Sequence, residues 1–234
     1  MVRSPFLDFI RLVVDDEVDN VSRRLRTNPA LATAAASAGA TRQEAASCFF
    51  KQISHYLYAG DTALHMAAAA FSRPIAELLV SCGADCRAKN RRGAEPLHYA
   101  ADANRSQPRA QADVIKYLIS IGADPDAEDK SGVGPLHRAI RTRSLSAVQA
   151  LLDGGANLRR PNKSGSTPLH LAVQNTGRGG SGSDEARRQQ AGIIKLLLKR
   201  GARPTDRDAR GKTVYEAATS DWIRGLLSER KSSS

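Results

Sequence analysis

Apolar residues along this chain fall into short clusters of helical period, and the clusters come in pairs. Phe6, Phe9, Ile10 and Val13 are spaced to share one face of a helix, and Val18, Val21 and Leu25 do the same shortly afterwards. Pro29 disfavours helix at Asn28, so "TNPALATA" (27–34) ends the second segment. From residue 60 the pattern becomes regular. A glycine opens "GDTALHMA" (60–67), "GAEPLHYA" (93–100), "GVGPLHRA" (132–139) and "GSTPLHLA" (165–172). Each is followed by a second apolar run closing on glycine: "LLVSCGAD" (78–85), "YLISIGAD" (117–124), "ALLDGGAN" (150–157) and "LLLKRGAR" (196–203). Each unit therefore reads as turn, helix, short loop, helix, Gly-Ala, extended finger. A fifth glycine, Gly211, opens "GKTVYEAATSDWIRGLL" (211–227), which has the same frame with Tyr215-Glu216 in place of Leu-His.

The motif glycines are 33, 39, 33 and 46 residues apart. From His65 to the second apolar run at Ile75 is ten residues, and from His137 to Ala147 is also ten. From His98 to Val114 is sixteen, and from His170 to Ile193 is twenty-three. The extra residues thus enter between the two helices of a unit, at "ANRSQPRAQA" (103–112) and "NTGRGGSGSDEARRQQ" (175–190). Both stretches are polar and rich in Gly, Pro or Ser, so surface loops are expected, and lengthening a loop costs little closure entropy.

A 33-residue period with a T-P-L-H-x-A helix start resembles the ankyrin repeat. The resemblance covers residue 60 to about 227. It implies an all-α repeat solenoid of helix–turn–helix units joined by β-hairpin-like fingers. The expected organisation is one solenoid over 1–230: a degenerate N-terminal cap with an insertion (1–59), four repeats (60–209) and a C-terminal cap (210–230). A disordered tail is expected at 231–234. Within the cap insertion (35–59), Gln43 to Tyr56 is expected to form one more helix, burying some of Phe49, Phe50, Ile53 and Tyr56.

Four of the five histidines sit in the same frame, which raises the question of chemistry against architecture. Thr167 is a good N-cap, Pro168 occupies the first helical position where its missing N–H is not needed, and His170 stands at the third position, able to reach back to the helix start. Thr213-Val-Tyr-Glu216 is a literal capping box with a carboxylate in the histidine's place. The resemblance likewise implies structural histidines. Stacked helices lie about 8–10 Å apart, too far for equivalent imidazoles to share a zinc at about 2.1 Å. No metal, cofactor or catalytic residue is expected. "RGKT" (210–213) ends like a phosphate-binding loop, but the required first glycine is Asp206.

Composition changes the picture only through charge. The formal net charge is +11, which favours anionic partners. Three cysteines, Cys48, Cys82 and Cys86, make no disulfide framework and suit a reducing compartment. Asp8 and Arg11 interrupt the first apolar stretch and argue against a signal peptide. No apolar run approaches a membrane span. A cytoplasmic, non-catalytic monomer without a small-molecule substrate or membrane partner is expected.

In ankyrin-like solenoids the finger tips and the exposed side of the first helix form a concave binding surface. Mapped onto this chain, that surface carries nine basic residues: Lys89, Arg91, Arg92, Lys130, Arg141, Lys163, Arg207, Arg210 and Lys212. The same positions carry the acids Asp61, Asp102 and Glu128, and Asp124, Asp126 and Asp129 interrupt the stripe nearby. The expected function is recruitment of an acidic protein partner by a protein-interaction scaffold, with arginines as anchors. The alternative is nucleic-acid binding through phosphate contacts, against which Tyr58 is the one aromatic mapped to the face. Arg178, Arg187 and Arg188 of the 175–190 stretch form a possible second contact.

Overall fold

The structure is a computed structural model that describes residues 5–41, 45–102, 107–175 and 182–228. Within those residues the chain folds into six helix pairs stacked in a row. The first helices are α1 (Pro5–Val14), α3 (Ala63–Ala70), α5 (Pro96–Ala101), α7 (Pro135–Arg141), α9 (Pro168–Ala172) and α11 (Val214–Ala217). The second helices are α2 (Val18–Thr27), α4 (Arg73–Ser81), α6 (Pro108–Ser120), α8 (Leu145–Asp153), α10 (Asp184–Lys199) and α12 (Asp221–Ser228). Each first helix packs on the first helices of its neighbours, and the second helices form a parallel outer row. The degenerate first unit obeys the same rule, α1 against α3 and α2 against α4. One continuous core running through stacked units is the signature of a solenoid.

Small side chains permit the close stacking. In α3, "ALHMAAAA", every residue from Ala63 to Ala69 is buried, because the helix is covered by α1, α4 and α5 at once. Leucines and isoleucines fill the outer layer: Ile75, Leu79, Ile115, Leu118, Leu151, Ile194 and Leu197 are fully buried. Each such side chain contributes roughly 1.5–3 kcal/mol of burial free energy.

The four histidines rivet one unit to the next. The Thr62, Glu95, Gly134 and Thr167 backbone N–H groups donate to Nδ1 of His65, His98, His137 and His170 at 3.1–3.2 Å. That fixes the tautomer, and each Nε2–H donates to a carbonyl of the following finger: Ala94, Val133, Arg160 and Lys212, at 3.0–3.2 Å. Both ring nitrogens are engaged, so none offers a lone pair to a metal. In α11 the Glu216 carboxylate takes the Thr213 N–H at 2.7 Å, and the Thr213 hydroxyl takes the Glu216 N–H at 3.2 Å.

Two expectations are corrected. The 43–56 stretch contains no α-helix among its described residues. It forms a hairpin, β1 (Phe49–Phe50) against β2 (His55–Tyr56), antiparallel, with Ser54 in the left-handed region at φ 51°. Paired aromatics favour extended backbone, and Ile53 alone of the four candidate residues is fully buried, with Phe49 exposed. The second correction concerns 103–112 and 175–190, whose C-terminal parts are helix. Pro108 occupies the first turn of α6, and Ser183 caps α10, accepting from the Ala186 N–H at 3.2 Å. Gln111 and Gln190 in these added turns donate to the carbonyls of Ala100 and Ala172 at 2.8 and 2.7 Å, satisfying the C-terminal ends of α5 and α9. Their polarity, which resembles a loop's, serves helix termini instead. Residues 103–106, 176–181 and the tail 229–234 lie outside the described residues.

Candidate functional site

The finger tips share one internal scaffold. Three residues before the motif glycine stands Asn90, Asp129, Asn162 or Asp208. Its Oδ1 accepts two backbone N–H groups: Arg92 and Ala94, Ser131 and Val133, Ser164 and Ser166, Arg210 and Lys212, all at 2.8–3.1 Å. Neighbouring tips are then tied through the main chain. The Arg91 N–H donates to Ala59, and the Lys130 N–H to Arg92, both at 2.9 Å. The residue two before the glycine therefore falls at one position in every finger: Tyr58, Arg91, Lys130, Lys163 and Ala209.

All nine mapped basic residues are exposed. Lys89 stands 3.7 Å from Glu95, and Arg207 reaches Glu216 at 4.0 Å and the Gly211 carbonyl. The other seven have no carboxylate within ion-pair distance among the described residues. Arg91 donates to the Ala40 carbonyl and Lys163 to the Lys130 carbonyl, so these two chains are held without being neutralised. Arg92 lies over the Tyr58 ring at 5.0 Å, with Arg91 at 5.5 Å. Arg92 and Arg141 line one cleft of about 390 Å³ together with Asp102, Asp129, Ser131, Thr142 and Arg138.

Beneath the tips runs a buried polar network. Asp61, fully buried, accepts from the Tyr58 N–H at 2.6 Å, Asn90 Nδ2 at 2.8 Å and Tyr99 Oη at 2.7 Å. It is not a surface acid, contrary to its mapped position. Arg138 bridges Asp102 and Asp129 at 2.7 and 2.8 Å. Burial works against the charge on Asp129, but the Arg138 hydrogen bond and the Val133 and Ser131 N–H groups outweigh it and lower its pKa. Asp102 is lowered against the same opposition by His55, 3.9 Å away, and Arg138. His55 itself stacks on Tyr99 at 4.2 Å between ring centres. Glu128 is spent on Arg160 at 2.9 Å, and Asp126 accepts the Asn157 N–H at 2.9 Å. The acids that interrupt the basic stripe in sequence are thus engaged by the protein itself.

The chain matches the family described as "Ankyrin repeats (3 copies)" over residues 7–129 and again over 106–208. The chain belongs to the ankyrin-repeat family. No curated protein matches it. Ankyrin repeats are generally protein–protein interaction modules and typically non-catalytic.

Three features of this ankyrin array escape the motif-by-motif reading. Arg138 occupies the slot after the histidine, where the other repeats have Met66, Tyr99 and Leu171, and its charge in an otherwise uncharged slot is the available signal. The scaffold residues Asn90, Asp129, Asn162 and Asp208 share a fixed offset from glycine, which a column-wise comparison of the repeats exposes. The hairpin sets Phe49 and Tyr56 against each other at 4.8 Å, and Tyr56 lies 6.2 Å from Tyr58, so the N-terminal end of the face carries several aromatics rather than one. A separate cleft of about 970 Å³ lies over the start of α8, between the added turns of α6 and α10, walled by Pro108, Leu145, Ala186 and Leu196. No described helix is long and apolar enough to cross a membrane, and no described group of three or more His, Cys, Asp or Glu residues has a metal-holding arrangement.

Proposed function

We propose that this ankyrin array is a non-catalytic scaffold, monomeric and cytoplasmic, that recruits an acidic protein segment through its basic finger row. The observation carrying this reading is the set of exposed cations without a carboxylate partner, Arg91, Arg92, Lys130, Arg141, Lys163, Arg210 and Lys212, while neighbouring acids are consumed internally. Three free thiols fit a reducing compartment. Arginines supply bidentate anchors for carboxylates, and rigid stacking of the units limits the ordering cost of binding.

A second reading, single-stranded nucleic acid, draws support from the aromatic group Phe49, Tyr56 and Tyr58 beside Arg91 and Arg92, since bases stack on such platforms. One experiment separates them. Wild type and a Lys130→Glu, Arg141→Glu, Lys163→Glu variant with an intact cooperative melt are used to capture partners from lysate, with and without nuclease. An acidic protein retained after nuclease and lost with the variant supports the scaffold reading. Capture abolished by nuclease overturns it in favour of nucleic acid. Equal capture by both proteins removes the basic row from the account.

A further inference from the structure

We propose that the segment bound by the finger row is a short polyproline-II stretch carrying a carboxylate at every third residue, Glu-x-x-Glu-x-x-Glu or its aspartate equivalent. The proposal rests on the acidic-partner reading above and specifies the form of the partner. It starts from register. The position two before the motif glycine reads Tyr58, Arg91, Lys130, Lys163, Ala209, so at that position three consecutive fingers present a cation and the fingers on either side present an aromatic and an alanine. The tips are locked in that register. Arg91 and Lys130 donate their N–H groups to the preceding finger at 2.9 Å. The next finger abuts each glycine so closely that an added Cβ would lie 3.0 Å from Arg91 N at Gly60, 3.1 Å from Lys130 N at Gly93 and 2.6 Å from Lys163 Cγ at Gly132.

Fingers that join stacked helices repeat at the spacing of packed helices in general, about 8–10 Å. A polyproline-II chain has three residues per turn and rises about 3.1 Å per residue, so residues i, i+3 and i+6 share one face about 9 Å apart. A β-strand offers same-face residues at about 6.7 or 13 Å, and neither matches. An α-helix matches at i+7, about 10.5 Å, but needs some fifteen residues for three contacts and drifts about 20° per heptad off the row. Polyproline-II geometry is the compact solution, and seven residues engage the whole row.

The cations are prepared for this. Arg91 and Lys163 are each anchored by one donor to a neutral carbonyl, Ala40 and Lys130 respectively. A guanidinium has five N–H donors and an ammonium three, so both retain donors for a guest while their side chains are already ordered. Lys130, between them, has no ion-pair partner among the described residues.

Binding of labelled peptides to the full chain by fluorescence anisotropy tests the spacing. The peptides carry three glutamates in Pro/Ala backgrounds of identical composition, spaced every second, third or fourth residue, beside a helical fifteen-residue peptide with glutamate every seventh. The every-third peptide is expected to bind at least ten-fold tighter than the others and to lose most of that margin with Lys130→Gln. The central glutamate faces Lys130 whichever way the peptide runs. Lys130→Glu paired with a central Glu→Lys peptide is therefore expected to recover binding, and a terminal Glu→Lys peptide is not. Both variants are first required to keep the wild-type melt. Equal binding at all spacings, or rescue at any position, overturns the spacing while leaving the acidic-partner reading standing. Preference for the helical peptide overturns the polyproline-II form. If no acidic peptide binds and a single-stranded oligonucleotide does, both this inference and the acidic-partner reading fall.

Discussion

Tyr99 Oη lies 2.7 and 2.8 Å from the two carboxylate oxygens of Asp61, across the junction between two stacked repeats. The phenol is buried, and burial together with the Asp61 charge drives its pKa far above the ordinary value, so it stays protonated, donating to the carboxylate while accepting from Asn90 Nδ2 at 2.9 Å. Tyr99→Phe leaves the carboxylate with Tyr58 N–H and Asn90 as its remaining donors among the described contacts. A loss of about 1–3 kcal/mol is expected from chemical denaturation, with the hairpin contact to His55 retained. A neutral result would mean water reaches Asp61 after the hydroxyl is removed.

The Arg138 bridge is a structural element as much as part of the groove wall. Replacing Arg138 by Met leaves Asp129 buried without its cation, which costs roughly 3–5 kcal/mol for a broken buried pair. Asn90 and Asn162 perform the same finger-scaffold bonds as Asp129 with an amide. Adding Asp129→Asn to Arg138→Met is therefore expected to restore much of the loss. Denaturation midpoints of the two variants decide the matter, and an additive further loss would contradict it.

Burial, and secondarily the Arg138 charge, lowers the His98 pKa to about 4. Its folded pKa lies below the unfolded value of about 6.5, so the unfolded chain binds the extra proton between these limits. The stability contributed by the neutral ring is whole above pH 6.5 and declines as pH falls towards 4, by about 3 kcal/mol in all. His65 and His137, also lowered chiefly by burial, act in the same direction. Glu95, raised by burial, opposes them by gaining stability as it protonates. Unfolding free energy is expected to fall between pH 7 and pH 5, and a His98 imidazole resonance titrating near 6.5 would falsify the assignment.

Gly165 sits at φ 72°, and a Cβ there would lie 2.3 Å from the Ala209 nitrogen. Gly165→Ala is expected to cost about 2 kcal/mol or more, since strain and a backbone clash combine. Gly122, at φ 101° with open space around it, isolates the strain alone, and Gly122→Ala should cost about 1 kcal/mol. Equal destabilisation of the two would show that the finger contact yields freely.

Legibility followed repetition. Helix starts, caps and the histidine frame recur in columns, so four copies of Gly-x-x-Pro/Ala-Leu-His located the first helices and the Thr213–Glu216 capping box. Where the chain departs from the period, local composition misled. "DEARRQQ" (184–190) looks like solvated loop, yet its acids suit a helix N-terminus and Gln190 closes the preceding helix. "FFKQISHY" (49–56) has apolar residues compatible with either period, and the hairpin won through contacts with Tyr99 and Asp102 that only the fold supplies. The basic finger residues were legible one by one. That Asp61 turns inward and Asp129 is claimed by Arg138 depends on neighbours in other repeats, beyond the reach of any single motif.

Each riveting histidine donates to a carbonyl lying 23 to 42 residues further along the chain, always in the C-terminal direction. During synthesis, a newly emerged helix pair therefore has its N-terminal neighbour in place but lacks the acceptor for its own imidazole until the next finger leaves the ribosome. Assembly becomes a one-way zipper, in which each translated finger fastens the repeat before it and the nascent end always carries one unmated donor. The 211–228 unit differs, since Glu216 stands where the histidine would be and closes on its own helix.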